Sequence, residues 1–95
     1  MLSFTDVPGR NVADIKLYTL STCGWCKKTK AFLNDAHIAY SYLDIDLLSP
    51  EDSQIATKEQ LEYNPEGSFP TIVINNGEKV IVGYDLAALK KLAGE

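Results

Sequence analysis

The feature that most constrains the fold is a pair of cysteines, Cys23 and Cys26, placed where a strand pattern gives way to a helical one. The run from Ile15 to Leu20 is mostly apolar and predicts a strand. From Cys26 onward, apolar residues recur at helical spacing as far as Ala36. A Cys-X-X-Cys pair at such a junction in a βαβ pattern is typical of redox chemistry, whereas structural disulfides belong to cysteine-rich secreted chains.

The rest of the chain alternates strand and helix patterns in a fixed order. Its predicted elements are a strand over 38–46, a helix over 50–63 capped by Ser49, two hairpin strands over 71–74 and 79–82, and a last helix capped by Asp85. The order β-α-β-α-β-β-α predicts an α/β fold with a four-stranded mixed sheet flanked by helices. We interpret residues 1–13 as an N-terminal extension, and the core as about 14–94, within a single domain over 1–95.

Size and charge exclude several classes of protein. With 95 residues and a net charge of −4, the chain lacks the basic surface that phosphate recognition requires, so no nucleic-acid partner is expected. No apolar run is long enough to span a bilayer, and the first residues do not form a signal peptide, which predicts a cytoplasmic protein without a membrane partner. We expect a monomer.

The position of the two cysteines assigns them different roles. A helix N-terminus favours the thiolate of Cys23, and Lys27 adds a nearby positive charge. Cys23 is therefore the predicted nucleophile, and Cys26, one helical turn later, is the predicted resolving thiol. A structural zinc site is the first alternative, but the chain offers only His37 and no second cysteine pair as further ligands. Two inert buried cysteines are the other alternative.

Three landmarks resemble the glutaredoxin family in their order along the chain. They are Leu17-Tyr18-Thr19 leading into Cys23-Gly24-Trp25-Cys26, then Ser68-Phe69-Pro70-Thr71, and then Val82-Gly83-Tyr84-Asp85. The resemblance runs from about residue 14 to residue 94. It implies a thioredoxin fold and the activity of a thiol–disulfide oxidoreductase, an electron carrier that reduces protein disulfides or glutathione mixed disulfides.

The resemblance also implies a substrate groove beside the cysteines. Pro70 matches the family's cis-proline, and Phe69 would pair with a bound peptide or glutathione through its backbone. Gly83, Tyr84 and Asp85 match the segment that receives the γ-glutamyl end of glutathione, although Asp85 as a plain N-cap is an equal interpretation. The predicted substrate-binding residues are Trp25, Lys27, Phe69, Pro70, Gly83, Tyr84 and Asp85.

Two positions depart from the family's pattern. Leu20 stands where many members carry a lysine that helps to hold glutathione, and Gly24 stands where a proline is familiar. We expect no tightly bound cofactor, with glutathione or a thioredoxin-reductase-like protein as the reductant. The alternatives are a glutaredoxin that binds a [2Fe–2S] cluster as carrier or sensor, which the glycine at position 24 makes credible, and a redox-inert interaction module of thioredoxin fold.

Overall fold

A computed structural model describes residues 2–95, and Met1 of the predicted extension lies outside the described residues. The strands are β1 (Thr5–Val7), β2 (Ile15–Thr19), β3 (Tyr40–Asp44), β4 (Thr71–Ile74) and β5 (Lys79–Val82). The α-helices are α1 (Gly24–Asp35), α2 (Pro50–Tyr63) and α3 (Leu86–Leu92), and short 3-10 turns cover Ile45–Leu47 and Asn75–Gly77. No helix in residues 2–95 is long and apolar enough to cross a membrane.

The five strands form one mixed sheet in the order β1-β3-β2-β4-β5. Strands β2 and β3 are parallel and are joined through α1, whereas β4 lies antiparallel to both β2 and β5. This arrangement confirms the predicted thioredoxin fold.

One strand of the sheet was not predicted. Residues 5–7 pair antiparallel with β3, so the sheet has five strands rather than four. The three residues, Thr5, Asp6 and Val7, are exposed or only half-buried, and therefore carry no apolar periodicity that would reveal a strand. Arg10 continues this packing, because its amide donates to the His37 carbonyl over 2.6 Å and its carbonyl accepts from the Ala39 amide over 2.9 Å.

The helix boundaries follow from local sequence chemistry. Cys23 and Ser49 cap the first two helices, and Pro50 occupies the first turn of α2, where its missing amide proton has no consequence. The Ser49 hydroxyl accepts from the Asp52 amide over 3.2 Å. Asp85 caps α3 by accepting from the Ala88 amide over 3.1 Å, so the predicted N-cap is confirmed.

Apolar side chains fill both faces of the sheet. Ile15 and Leu17 of β2 face one cluster with α1 and α3, whereas Tyr18 faces a second cluster that includes Ala56 of α2. The alternation follows from the two-residue period of a strand. Both faces of β2 are thus buried, and its carboxyl end is held firmly where the cysteine loop begins.

Strand directions bring three chain segments to one end of the sheet. Tyr18, near the end of β2, pairs with Thr71 at the start of β4, and Thr71 pairs with Val82 at the end of β5. The loop that carries Cys23, the Phe69-Pro70 turn and the Gly83-Tyr84 turn therefore lie at the same edge. The three landmarks found in the sequence converge in space.

Candidate active site

Cys23 lies at the N-terminus of α1 as its capping residue. Its sulfur accepts a hydrogen bond from the Cys26 amide over 3.1 Å, and its carbonyl accepts from the Lys27 amide at the same distance. Its extended backbone, with φ −84° and ψ 115°, turns the side chain back over the first turn of the helix. The helix dipole and free amides therefore stabilise negative charge on this sulfur.

Cys26 lies in a different environment. Its side chain is fully buried, at 0% exposure, whereas Cys23 is partly exposed. Burial, with a further contribution from its hydrogen bond to Cys23, raises the pKa of the Cys26 thiol to about 12. At neutral pH Cys26 is a protonated thiol, so the two sulfurs differ in environment: the Cys23 sulfur is accessible and accepts from a backbone amide, and the Cys26 sulfur is enclosed as a thiol.

The Phe69–Pro70 peptide bond is cis, as the resemblance implied. Pro70 is buried, and its carbonyl accepts from the Gly83 amide over 2.8 Å, so the turn after β5 is tied to the turn before β4. Phe69 is half-buried and packs against the cluster around Tyr18. The backbone on either side of this bond is therefore fixed by neighbouring segments.

Two buried amide side chains, Gln60 on α2 and Asn64 at its C-cap, hydrogen-bond to the same turn. Gln60 donates from Nε2 to the Ser68 carbonyl over 3.0 Å and to the Thr71 hydroxyl over 3.1 Å. Asn64 donates from Nδ2 to the Thr71 hydroxyl over 3.0 Å and to the Ser68 carbonyl over 3.2 Å. The sequence alone does not single out Gln60 or Asn64 as residues of the site. Their spacing from Ala56, at four and eight residues, is the signal that places them on the buried face of α2.

Aromatic residues border the cysteines on the side of β5. The rings of Trp25 and Tyr84 stack with centroids 5.6 Å apart and planes inclined by 21°. The Lys28 ammonium lies 5.1 Å from the Trp25 ring centre and 5.9 Å from that of Tyr84. The predicted Lys27 is exposed on α1, and sequence reasoning missed Lys28 as the lysine that contacts the aromatic pair.

A polar cluster borders the cysteines on the side of β3. Asp46 accepts from the Ser21 amide over 2.8 Å and from the Ser21 hydroxyl, and these bonds hold the pKa of its carboxyl below the usual value. Asp44 accepts from the Thr19 hydroxyl over 2.6 Å and pairs with Lys30 over 3.4 Å. The Asp46 carboxylate therefore lies beside Ser21. Ser21 directly follows Leu20, the position at which the family that the chain resembles often carries a lysine.

The two cysteines do not form a metal site with other side chains of the described chain. In residues 2–95, no group of three or more His, Cys, Asp or Glu side chains is arranged to hold a metal ion. An iron–sulfur cluster needs four protein or external ligands, and this chain brings only two thiols together. A cluster at this site would therefore need ligands from a second chain or from a bound thiol.

Comparisons with known proteins agree with this geometry. The sequence model of the glutaredoxin family matches residues 15–80. The chain is 33% identical over 78 residues to an uncharacterized glutaredoxin-like 8.6 kDa protein from the rubredoxin operon of Clostridium pasteurianum, covering 82% of this chain and 95% of that protein.

Solved structures show the same likeness. The methanoredoxin of Methanosarcina acetivorans is 40% identical, with a TM-score of 0.85 over 92% of this chain and 90% of its own. A glutaredoxin of Methanosarcina mazei Go1 is 37% identical, with a TM-score of 0.85 over 97% of this chain and 88% of its own. The protein is thus a member of the glutaredoxin family and an enzyme of the thiol–disulfide oxidoreductase type.

Proposed function

We propose that this protein reduces protein disulfides or glutathione mixed disulfides by dithiol exchange, with Cys23 as the nucleophile and Cys26 as the resolving thiol. One observation carries the proposal: the partly exposed Cys23 sulfur accepts from the Cys26 amide over 3.1 Å, while the Cys26 side chain is fully buried. Only the first sulfur is accessible to a substrate of protein size.

In the first step, the Cys23 thiolate attacks one sulfur of the substrate disulfide. A Cys23–substrate bond forms as the substrate S–S bond breaks, and the departing substrate sulfur leaves as a thiolate that takes a proton from water. The Cys26 amide at 3.1 Å and the α1 dipole stabilise the attacking anion before the reaction.

In the second step, Cys26 attacks the Cys23 sulfur of this mixed disulfide. The Cys26 proton passes to solvent, the Cys23–Cys26 bond forms, and the second substrate sulfur leaves as a thiolate. Burial is the main reason that the pKa of Cys26 is high, but the hydrogen bond and the charge of Cys23 raise it further. The mixed disulfide removes the Cys23 charge, so Cys26 ionises more readily at the stage when it must react.

The groove between the aromatic pair and the cis-proline turn is the proposed substrate site. Phe69 would pair with an extended substrate segment through its backbone, since Gln60 and Asn64 fix the turn on which it lies. Trp25 and Tyr84 would form one wall of the groove. Gly83 and Asp85 belong to the same wall in this proposal, with Asp85 also retained as the N-cap of α3.

The Cys23–Cys26 disulfide formed in each cycle must be reduced by a second thiol. We propose glutathione or a thioredoxin-reductase-like protein for this step. Asp46 beside Ser21 places negative charge where the glycine carboxylate of glutathione would need a cation, which favours the protein reductant. Two cysteines three positions apart, in a chain with no others, suit redox exchange in a reducing compartment such as the cytoplasm better than a structural disulfide.

The test is turnover of a glutathione mixed disulfide with NADPH, in parallel assays coupled either to glutathione and glutathione reductase or to a thioredoxin reductase. Cys23→Ser should abolish turnover. In the glutathione-coupled assay the matched Cys26→Ser variant should keep activity on this substrate, because glutathione can attack the Cys23 mixed disulfide in place of Cys26, and it should lose activity on a protein disulfide, which needs the resolving thiol. If the wild type works only with a thioredoxin reductase, the protein reductant is established. Full turnover by Cys23→Ser would contradict the assigned nucleophile.

A further inference from the structure

The start of α1 carries two lysines, Lys27 and Lys28, that form no ion pair with a carboxylate of the described residues. Within residues 2–95, neither Lys27 nor Lys28 forms an ion pair, although Lys30 on the same helix pairs with Asp44. The first turn of α1 contains no acidic residue. Because the whole chain carries a net charge of −4, this positive site is local to the cysteines and is not a general property of the surface.

Lys28 is positioned by aromatic rings rather than by a carboxylate. Its ammonium lies 5.1 Å and 5.9 Å from the ring centres of Trp25 and Tyr84, which stack on each other at 5.6 Å. We call these three residues the cationic rim. A cation held over ring faces keeps its outward side available to an anion, and Trp25 is 57% exposed, so the cationic rim is open to a partner.

The opposite side of Cys23 carries the opposite charge. Asp46 follows β3 and is bound to Ser21, which precedes Cys23 by two residues. Tyr84 follows β5, and the strand order β3-β2-β4-β5 places these two sides on opposite flanks of the loop after β2. The β5 side holds Lys28 and also Asp85, whose carboxylate caps α3. The β3 side holds Asp44 and Asp46 with one lysine, Lys30, which pairs with Asp44. The groove is therefore asymmetric in charge across the nucleophile, and its more positive side lies toward β5.

We propose that the cationic rim selects protein disulfides whose attacked cysteine has acidic residues in the adjoining segment, and that Lys28 is the residue that determines this preference. The inference rests on the proposed function and names its substrate class. Carboxylates on one side of the substrate cysteine would contact Lys28, while Asp46 would repel them from the other side, which also fixes the direction in which the segment crosses the groove.

The test compares three synthetic peptides. Each carries one cysteine in a mixed disulfide with 2-mercaptoethanol, and the residues that flank this cysteine are acidic, neutral or basic. The rate constant for oxidation of the reduced protein is measured after acid quenching by mass spectrometry. At low salt the acidic peptide should react about tenfold faster than the basic one, and about 0.5 M salt should remove most of the difference.

Lys28→Met should reduce this preference to about threefold or less, whereas Lys28→Arg should keep it because the charge and its contact with the rings are preserved. Lys58→Met is the matched control: Lys58 is exposed on α2, across the sheet, and its loss changes net charge equally. Equal rates for acidic and basic peptides, or a full preference in Lys28→Met, would overturn the inference. Failure of the neutral peptide to oxidise the wild type would instead overturn the proposed function.

Discussion

The buried thiol of Cys26 predicts a specific loss of stability at alkaline pH. The pKa of this thiol is about 12 in the folded protein and 9.0 in an unperturbed chain. Below pH 9 the thiol is protonated in both states, so its contribution to folding is fully present there. As the pH rises from 9 toward 12, only the unfolded chain releases the proton, and unfolding becomes more favourable.

The magnitude follows from the same pair of values. At about pH 10, one unit above the unfolded pKa, linkage predicts a loss of about 1 kcal/mol in the free energy of unfolding. The measurement is guanidinium denaturation under reducing conditions at about pH 7 and about pH 10, for the wild type and for Cys26→Ala. The difference in stability between the two proteins should change by about 1 kcal/mol in favour of the alanine variant at the higher pH.

The comparison between variants removes other titrating groups. Burial also raises the pKa of Tyr18 and Tyr40. At high pH these two residues lower the free energy of unfolding of both proteins by the same amount, so their effect cancels in the difference. Cys23 is present in both proteins as well. A difference in stability that is the same at the two pH values would refute the assignment of Cys26 as a thiol kept neutral by burial.

Four further substitutions test the fold and the residues that hold the site. In denaturant titrations, Gly24→Ala should raise stability by about 0.5–1 kcal/mol, whereas Gly77→Ala should lower it by more than 1 kcal/mol. A methyl group at Gly24 meets nothing within 4 Å, but Gly77 has φ +103° and its methyl group would lie 2.8 Å from Tyr63 Cε1. Ser49→Ala removes the cap of α2 and should cost about 1 kcal/mol, and an undiminished denaturation midpoint would contradict that role. Asn64→Leu removes a hydrogen-bond donor to the Thr71 hydroxyl and to the Ser68 carbonyl. It should lower the free energy of unfolding by about 1–3 kcal/mol and slow the reduction of a peptide disulfide. An unchanged rate of reduction would show that the turn does not contribute to substrate binding.

Most of the architecture could be predicted because its signals are local. Ser49-Pro50 and Tyr63 bound α2 as predicted, and Asp85 caps α3, since caps and breakers act within one helical turn. The edge strand β1 could not be predicted because Thr5, Asp6 and Val7 are held by pairing with β3, a contact distant in sequence. The groove beside the cysteines was implied by the resemblance to the family and not by element order.

The sequence predicts two reactive cysteines but not the residues that hold the turn beside them. Cys23 and Cys26 carry their signal in spacing alone, whereas Gln60 and Asn64 contact the cis-proline turn only after α2 has docked on the sheet. The same holds for Lys28, which a sequence cannot distinguish from Lys27. Which of two neighbouring lysines meets the Trp25–Tyr84 pair depends on helix rotation and on the position of the turn after β5.

The assignment of the two cysteine roles is tested most directly by trapping the mixed disulfide. Reduced Cys26→Ser and Cys23→Ser proteins are each treated with bis(2-hydroxyethyl) disulfide, quenched with acid and mapped by peptide mass spectrometry. The account predicts a mercaptoethanol adduct on Cys23 in the first variant and little or no adduct on the buried Cys26 in the second. Rapid modification of Cys26 with an unreactive Cys23 would contradict it.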